Sequence, residues 1–199
     1  MKAYIPFITK MLENKSRKMI CAATQTLRYL VKEQPDNYDF LRNLIANDAT
    51  KWFTSATMRY SALKLLLAAG KFLLPTIFEV TSNSFQILWN TIICDDVELR
   101  TIGAKVIDLH LCGLPKSSIS DVHNLFQDCI NQLKLQNATS HGPILVCRSL
   151  LYRYSEEIDV PKLISYLFEL FQVKSEVLIV AVFTLLFDIS RQMSYLFTP

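Results

Sequence analysis

Small residues recur in this chain at a nearly constant step. Ala22, Ala62, Gly103, Gly142 and Ala181 are separated by 40, 41, 39 and 39 residues. A bulky aliphatic residue follows each after four or five places: Leu27, Leu66, Ile107, Val146 and Leu185. A unit of about 40 residues cannot bury its apolar faces alone, so repeated units must stack and cover one another. The small residue then belongs where neighbouring elements approach most closely.

The apolar pattern says what each unit contains. Phe85, Leu88, Trp89 and Ile92 follow i, i+3, i+4, i+7 spacing, as do Leu99, Ile102 and Val106 with Gly103 on the same face. Val122, Leu125, Phe126, Cys129, Ile130 and Leu133 form the cleanest stripe, and Leu163, Leu167, Leu170 and Phe171 another. This is helical periodicity, and no stretch alternates with period two. Punctuation divides the chain into ten helices in five pairs. Ser16 is placed to cap a helix ending before Pro35, and Gly70 and Gly113-Leu-Pro115 act as stops. Asp95 and Glu98 have capping-box spacing. Ser118 or Ser120, then Ser140, open later helices, and Asp159 opens one with Pro161 in its first turn. The segment holding Trp52 and Phe53 is left open, next to a short helix predicted through Tyr38, Leu41, Leu44 and Ile45. The expected fold is all-α, an α–α superhelix of HEAT or armadillo type. It forms one domain over residues 1–199, with units near 1–35, 36–74, 75–115, 116–157 and 158–199.

Composition narrows the function classes. The four glycines, at 70, 103, 113 and 142, stand apart. That excludes a G-x-G-x-x-G turn and a phosphate-binding loop, and disfavours a hairpin-rich β-sandwich. The longest uncharged apolar run, Val177 to Phe187, is eleven residues, far short of the ~20 of a membrane span. The N-terminus lacks a signal-peptide core, so the cytosol or nucleus is the expected location. A net charge of +3 gives no argument for nucleic acid. Five cysteines with no C-x-x-C pair read as reduced thiols packed as small hydrophobes.

No constellation points to catalysis. His110 and Cys112 are two apart on a helix and face different ways, a poor chelate. His141 and Cys147 are six apart, which is no nucleophile–base spacing. Cys94, Cys112, Cys129 and Cys147 are expected on four helices, facing the core. Asp95, Asp96 and Glu98 suit a helix start better than acid–base work. No metal, cofactor or small-molecule substrate is expected. The candidate partner contacts are the basic residues Lys15, Arg17 and Lys18, the aromatic Trp52, and Tyr195 and Phe197 near the C-terminus. Trp89, on an apolar stripe, is expected in the core. The last helix, apolar all round, is expected to be covered by a further repeat or a partner.

Two stretches carry a family resemblance. The first contains Met58-Arg-Tyr-Ser-Ala-Leu63, Leu74-Pro-Thr-Ile-Phe78, Phe85-Gln-Ile-Leu-Trp-Asn90 and Asp95-Asp-Val-Glu-Leu-Arg100. Within it, Arg59-x-x-Ala62 and Arg100-x-x-Gly103 repeat a basic-then-small pattern usual in HEAT units. The second is Ala138-Thr-Ser-His-Gly-Pro-Ile-Leu-Val-Cys-Arg-Ser-Leu-Leu151. Together they resemble the N-terminal HEAT region of TOR, a phosphatidylinositol-kinase-related serine/threonine kinase. Asp96, Gly103 and Ser149 depart from the family pattern. The resemblance implies a non-catalytic scaffold segment that holds the regulatory subunit of a growth-controlling kinase assembly. The alternative is a stand-alone HEAT adaptor or transport-receptor-like protein binding peptides or other proteins.

Overall fold

The stripes from Phe85 to Ile92 and from Val122 to Leu133 each become one buried helix face, whereas Leu99 and Phe171 of the other two are half-buried, and Leu170 and Phe171 fall in a 3-10 turn. The computed structural model describes residues 5–33, 50–69, 83–114 and 118–193. Among them are ten α-helices, two 3-10 turns and no strand. The chain divides into two compact units, Met1–Ile87 and Leu88–Pro199. The division falls within helix α5 (Asn83–Ile92). The predicted helix through Tyr38 to Ile45, the stop at Gly70, and Tyr195 and Phe197 lie outside the described residues.

The first unit holds α1 (Ile5–Leu12), α2 (Arg17–Glu33), α3 (Thr50–Thr54) and α4 (Arg59–Ala69). α1 packs on α2, α3 on α4, and the two longer helices pack on each other. Ile20, Leu27, Leu63 and Leu66 are buried between them, each contributing about 2 kcal/mol of apolar burial. The Ser61 hydroxyl donates to the Leu12 carbonyl at 2.6 Å, satisfying an acceptor that the end of α1 leaves open. The first small site is shifted by one residue from its expected position, and the second, Ala62, is buried where expected. Ala22 is exposed, whereas Ala23 and Ala62 are fully buried. On an α-helix adjacent residues lie 100° apart, so a one-residue error exchanges inside for outside.

The second unit contains α6 (Val97–Gly113), α7 (Ile119–Leu133), α8 (His141–Tyr154), α9 (Val160–Glu169) and α10 (Glu176–Gln192), with 3-10 turns at Ala138–Ser140 and Leu170–Gln172. α8 lies between α6 and α10, and α7 packs on α8 and α9. The buried residues of α7 are the six of its predicted stripe. Gly103 and Gly142 both face Ile92. A Cβ at Gly103 would stand 2.8 Å from the Ile92 Cγ2. One at Gly142 would overlap the Ile92 carbonyl oxygen and lie 2.8 Å from its carbon. Ala181 is buried on α10. The aliphatic residues that follow, Leu27, Leu66, Ile107, Val146 and Leu185, are all buried.

Capping is real but partly displaced. The cap of α6 is Asp96, not Asp95; its carboxylate accepts from the Glu98 and Leu99 amides at 2.9 and 3.0 Å. Asp159 accepts from Lys162 N at 3.0 Å. Ser175, which the sequence reading passed over, accepts from Leu178 N at 3.4 Å. Ser118 and Ser140 occupy cap positions without a side-chain cap bond. Ser140 Oγ donates instead to the Gln132 carbonyl at 3.3 Å. Between α7 and α8, Gln136 takes a left-handed φ of 49°, a place where glycine costs less.

The two arginines of the basic-then-small pattern share one device. Arg59 Nε donates to the Phe53 carbonyl at 3.2 Å. Arg100 Nη1 donates to the Cys94 and Asp95 carbonyls at 2.7 and 3.1 Å. Each reaches back five or six residues, Arg59 to the end of α3 and Arg100 to the turn before α6, and ties its helix to the segment that precedes it. Arg100 is 3% exposed, so removing its side chain strands acceptors in a largely dry site. Arg100→Ala is expected to lower stability by about 2 kcal/mol, read from the urea midpoint at unchanged slope.

Candidate functional site

Of the expected contact residues, Lys15, Arg17, Lys18 and Trp52 belong to the first unit, and Tyr195 and Phe197 lie outside the described residues. Lys15 lies in the turn before α2, and Lys18 is exposed on that helix. Arg17 carries its guanidinium 4.8 Å above the Tyr60 ring, with Lys64 5.4 Å from the same ring. Trp52 is 8% exposed and Phe53 is buried beside it, which corrects the expectation of a surface aromatic. The short α3 seats both rings in the core of the first unit. Trp89 is buried, as expected.

The cysteines divide. Cys129 and Cys147 are fully buried, Cys21 and Cys94 half-buried, and Cys112 exposed. Cys94 sits in the turn between α5 and α6, not on a helix, and Cys112 does not face the core. Burial, reinforced by the neighbouring Cys147 thiol, pushes the Cys129 thiol well above its ordinary pKa. Among the described residues no three His, Cys, Asp or Glu side chains gather as metal ligands. Among the same residues no helix is long and apolar enough to cross a membrane. Burial holds His110 below its ordinary pKa, with Asp121 acting against that shift. His141, 6% exposed with an unpartnered Nδ1, is pushed down to about 4 by burial and then by the Arg100 charge.

A surface missed residue by residue lies along α6, α8 and α10. A hollow of about 490 Å³ opens between α6 and α8, its lining including Lys105, Asp108, Leu145, Arg148, Tyr152 and Arg153. A second, of about 400 Å³, opens between α8 and α10 over Ile144, Leu145, Val177, Val180 and Ala181. Both hollows include Leu145 and Arg148. Tyr152, Val177 and Val180 are exposed along them, Val180 at 64%. Phe183 and Phe187 extend the exposed apolar ridge of α10, and the Phe183 ring leans on Phe171 with centroids 4.9 Å apart. The last helix thus has one face in the core and another open to solvent.

Ion pairs brace this surface. Arg148 Nε meets the Asp188 carboxylate at 2.6 Å. Arg153 Nη2 and Nε donate to Asp108 Oδ1 at 3.0 and 3.2 Å. Tyr154 donates its hydroxyl to the Leu111 carbonyl at 3.1 Å. The two pairs differ in burial. The Asp188 side chain is 6% exposed against 42% for Arg148, while Arg153 and Asp108 are 35% and 37% exposed. Arg148→Ala leaves a buried carboxylate without its cation and is expected to cost about 1–2 kcal/mol, reduced from the fully buried case because water reaches the arginine. Arg153→Ala is expected to cost under about 0.5 kcal/mol. Parallel urea melts of the two variants check the contrast.

The sequence signal for this surface was a second set of spacings behind each core stripe. Thr101, Lys105 and Asp108, then Leu145, Arg148 and Tyr152, then Val177, Val180 and Thr184, each follow i, i+3, i+4 steps. Asp108, Arg148 and Asp188 also stand 40 residues apart. No protein-family profile, curated protein or solved structure matches the chain.

Proposed function

We propose that this chain is a HEAT-like helical-repeat scaffold that holds another protein along the second helices of its pairs. The observation carrying this reading is the pair of hollows along α6, α8 and α10, joined through Leu145 and Arg148 and flanked by exposed Tyr152, Val177 and Val180. Contiguous exposed apolar side chains with aromatic and arginine neighbours suit a protein interface. Stacking of second helix on second helix supports the repeat, as do the paired glycines against Ile92 and the shared arginine device.

The narrower proposal, a segment of a TOR-like kinase assembly in the cytoplasm or nucleus, is supported by the residue patterns at Arg59–Leu111 and Ala138–Leu151 alone. Affinity purification of the full chain beside its Val180→Glu variant tests both levels. Val180 is so exposed that the variant should melt within about 0.5 kcal/mol of the parent. The scaffold reading expects a protein that the parent retains and the variant loses. A TOR-type kinase or a WD40-containing partner in that fraction favours the kinase assembly. Transport cargo without a kinase favours the stand-alone adaptor. Identical recovery by parent and variant contradicts the use of this face.

A further inference from the structure

The two hollows differ in charge, and the difference selects a ligand. The first presents Lys105, Arg148 and Arg153 against one carboxylate, Asp108. Arg153 is held by Asp108, and Arg148 by Asp188 at the margin. Lys105 is exposed and makes no ion pair among the described residues, so its charge remains available. The second hollow balances Arg148 with Glu176, carries His141 and Thr184 as its other polar side chains, and is otherwise floored by the aliphatic Ile144, Leu145, Val177, Val180 and Ala181. One half of the surface is therefore cationic and the other apolar.

Resting on the scaffold reading, we propose that this face takes an amphipathic helix of a partner protein, acidic toward one end and bulky-apolar toward the other. The acidic end lies over Lys105 and Arg153, and the apolar end over Val177 and Val180. Packed helices stand 8–10 Å apart, so a ligand crossing from α6 to α10 spans roughly 20 Å, or about 13 residues of helix. Glu176 guards the apolar end, because a carboxylate placed there meets a like charge. Complementary charge sets the orientation, while apolar burial provides the affinity.

Fluorescence anisotropy with labelled helical peptides of about 14 residues tests this on the full chain. One peptide carries glutamates in its first half and Leu and Phe in its second. Another has lysine for every glutamate, and a third has serine for every Leu and Phe. The acidic peptide is expected to bind about tenfold more tightly than the lysine peptide, with the preference shrinking as salt rises. Lys105→Glu should remove most of that preference. Val180→Asp should weaken the acidic peptide about tenfold, and the serine peptide should not bind. Circular dichroism melts confirm that both variants fold. Equal binding of the acidic and lysine peptides overturns the proposal. So does a preference for lysine, an absence of saturable binding, or indifference to both substitutions. If these failures occur while Val180→Glu still loses a partner in the purification, the charge assignment fails and the scaffold reading stands. If the purification is also indifferent, both fail.

Discussion

Gly142→Ala is expected to lower the unfolding free energy by about 3 kcal/mol or more. The added methyl would overlap the Ile92 carbonyl oxygen, with the carbonyl carbon at 2.8 Å and the Ile92 Cβ at 3.2 Å. Backbone at the end of a packed helix has no rotamer to change, so relief requires α5 and α8 to separate. That separation would open the contacts around Leu88, Val146 and Leu150, all fully buried. Gly103→Ala is the control. Its methyl meets the Ile92 Cγ2 at 2.8 Å, a side-chain atom that shifts at lower cost. Replacing glycine by alanine within a helix also returns about 1 kcal/mol. The expected net loss at Gly103 is about 1 kcal/mol. Urea unfolding of both variants checks the difference. Equal losses would remove the close backbone approach at Gly142.

Acid is expected to weaken the fold in a defined window. His141 is buried, and its pKa lies at about 4 because burial, and then Arg100, oppose a second positive charge. In the unfolded chain the same imidazole titrates near its ordinary 6.5. Above pH 6.5 both states hold the neutral ring, and His141 imposes no pH dependence. Between 6.5 and 4 the unfolded chain binds a proton that the folded chain refuses, so stability falls as pH falls. Below 4 both are protonated and the loss levels off. The loss amounts to at most about 3 kcal/mol across the window, less where water in the neighbouring hollow screens the ring. His110, lowered by burial, acts in the same direction. Stability measured from pH 7.5 to 4 should fall on this course, and His141→Gln should flatten most of it. A variant with the parent's pH profile would assign the dependence to other groups.

The fold was legible where periodicity alone decides the outcome. The α7 stripe from Val122 to Leu133 is its buried face, because one helix lying across neighbours buries about one side in three. Asp159 with Pro161 was equally clear, since an acceptor side chain and a missing amide both suit a first turn. Ala22 in place of Ala23 and Asp95 in place of Asp96 are errors of one residue. Two similar residues stood side by side, and only packing or φ distinguishes them. Trp52 was misplaced for a different reason. A five-residue helix is too short to show a stripe, so nothing in its own sequence reveals which face its neighbours cover. The candidate surface needed the stacking order. Thr101, Arg148 and Val180 become one face only when α6, α8 and α10 lie side by side, a tertiary fact that no local spacing contains.

Photo-crosslinking in cells tests the binding face most directly. A benzophenone side chain is placed at Tyr152 or Val180 on the second helices, and for comparison at the exposed Gln127 on α7 or Ser165 on α9. The expected result is a covalent protein adduct from positions 152 and 180 and none from 127 and 165. Adducts only from α7 and α9, or none from Tyr152 and Val180, would contradict a partner held along the second helices.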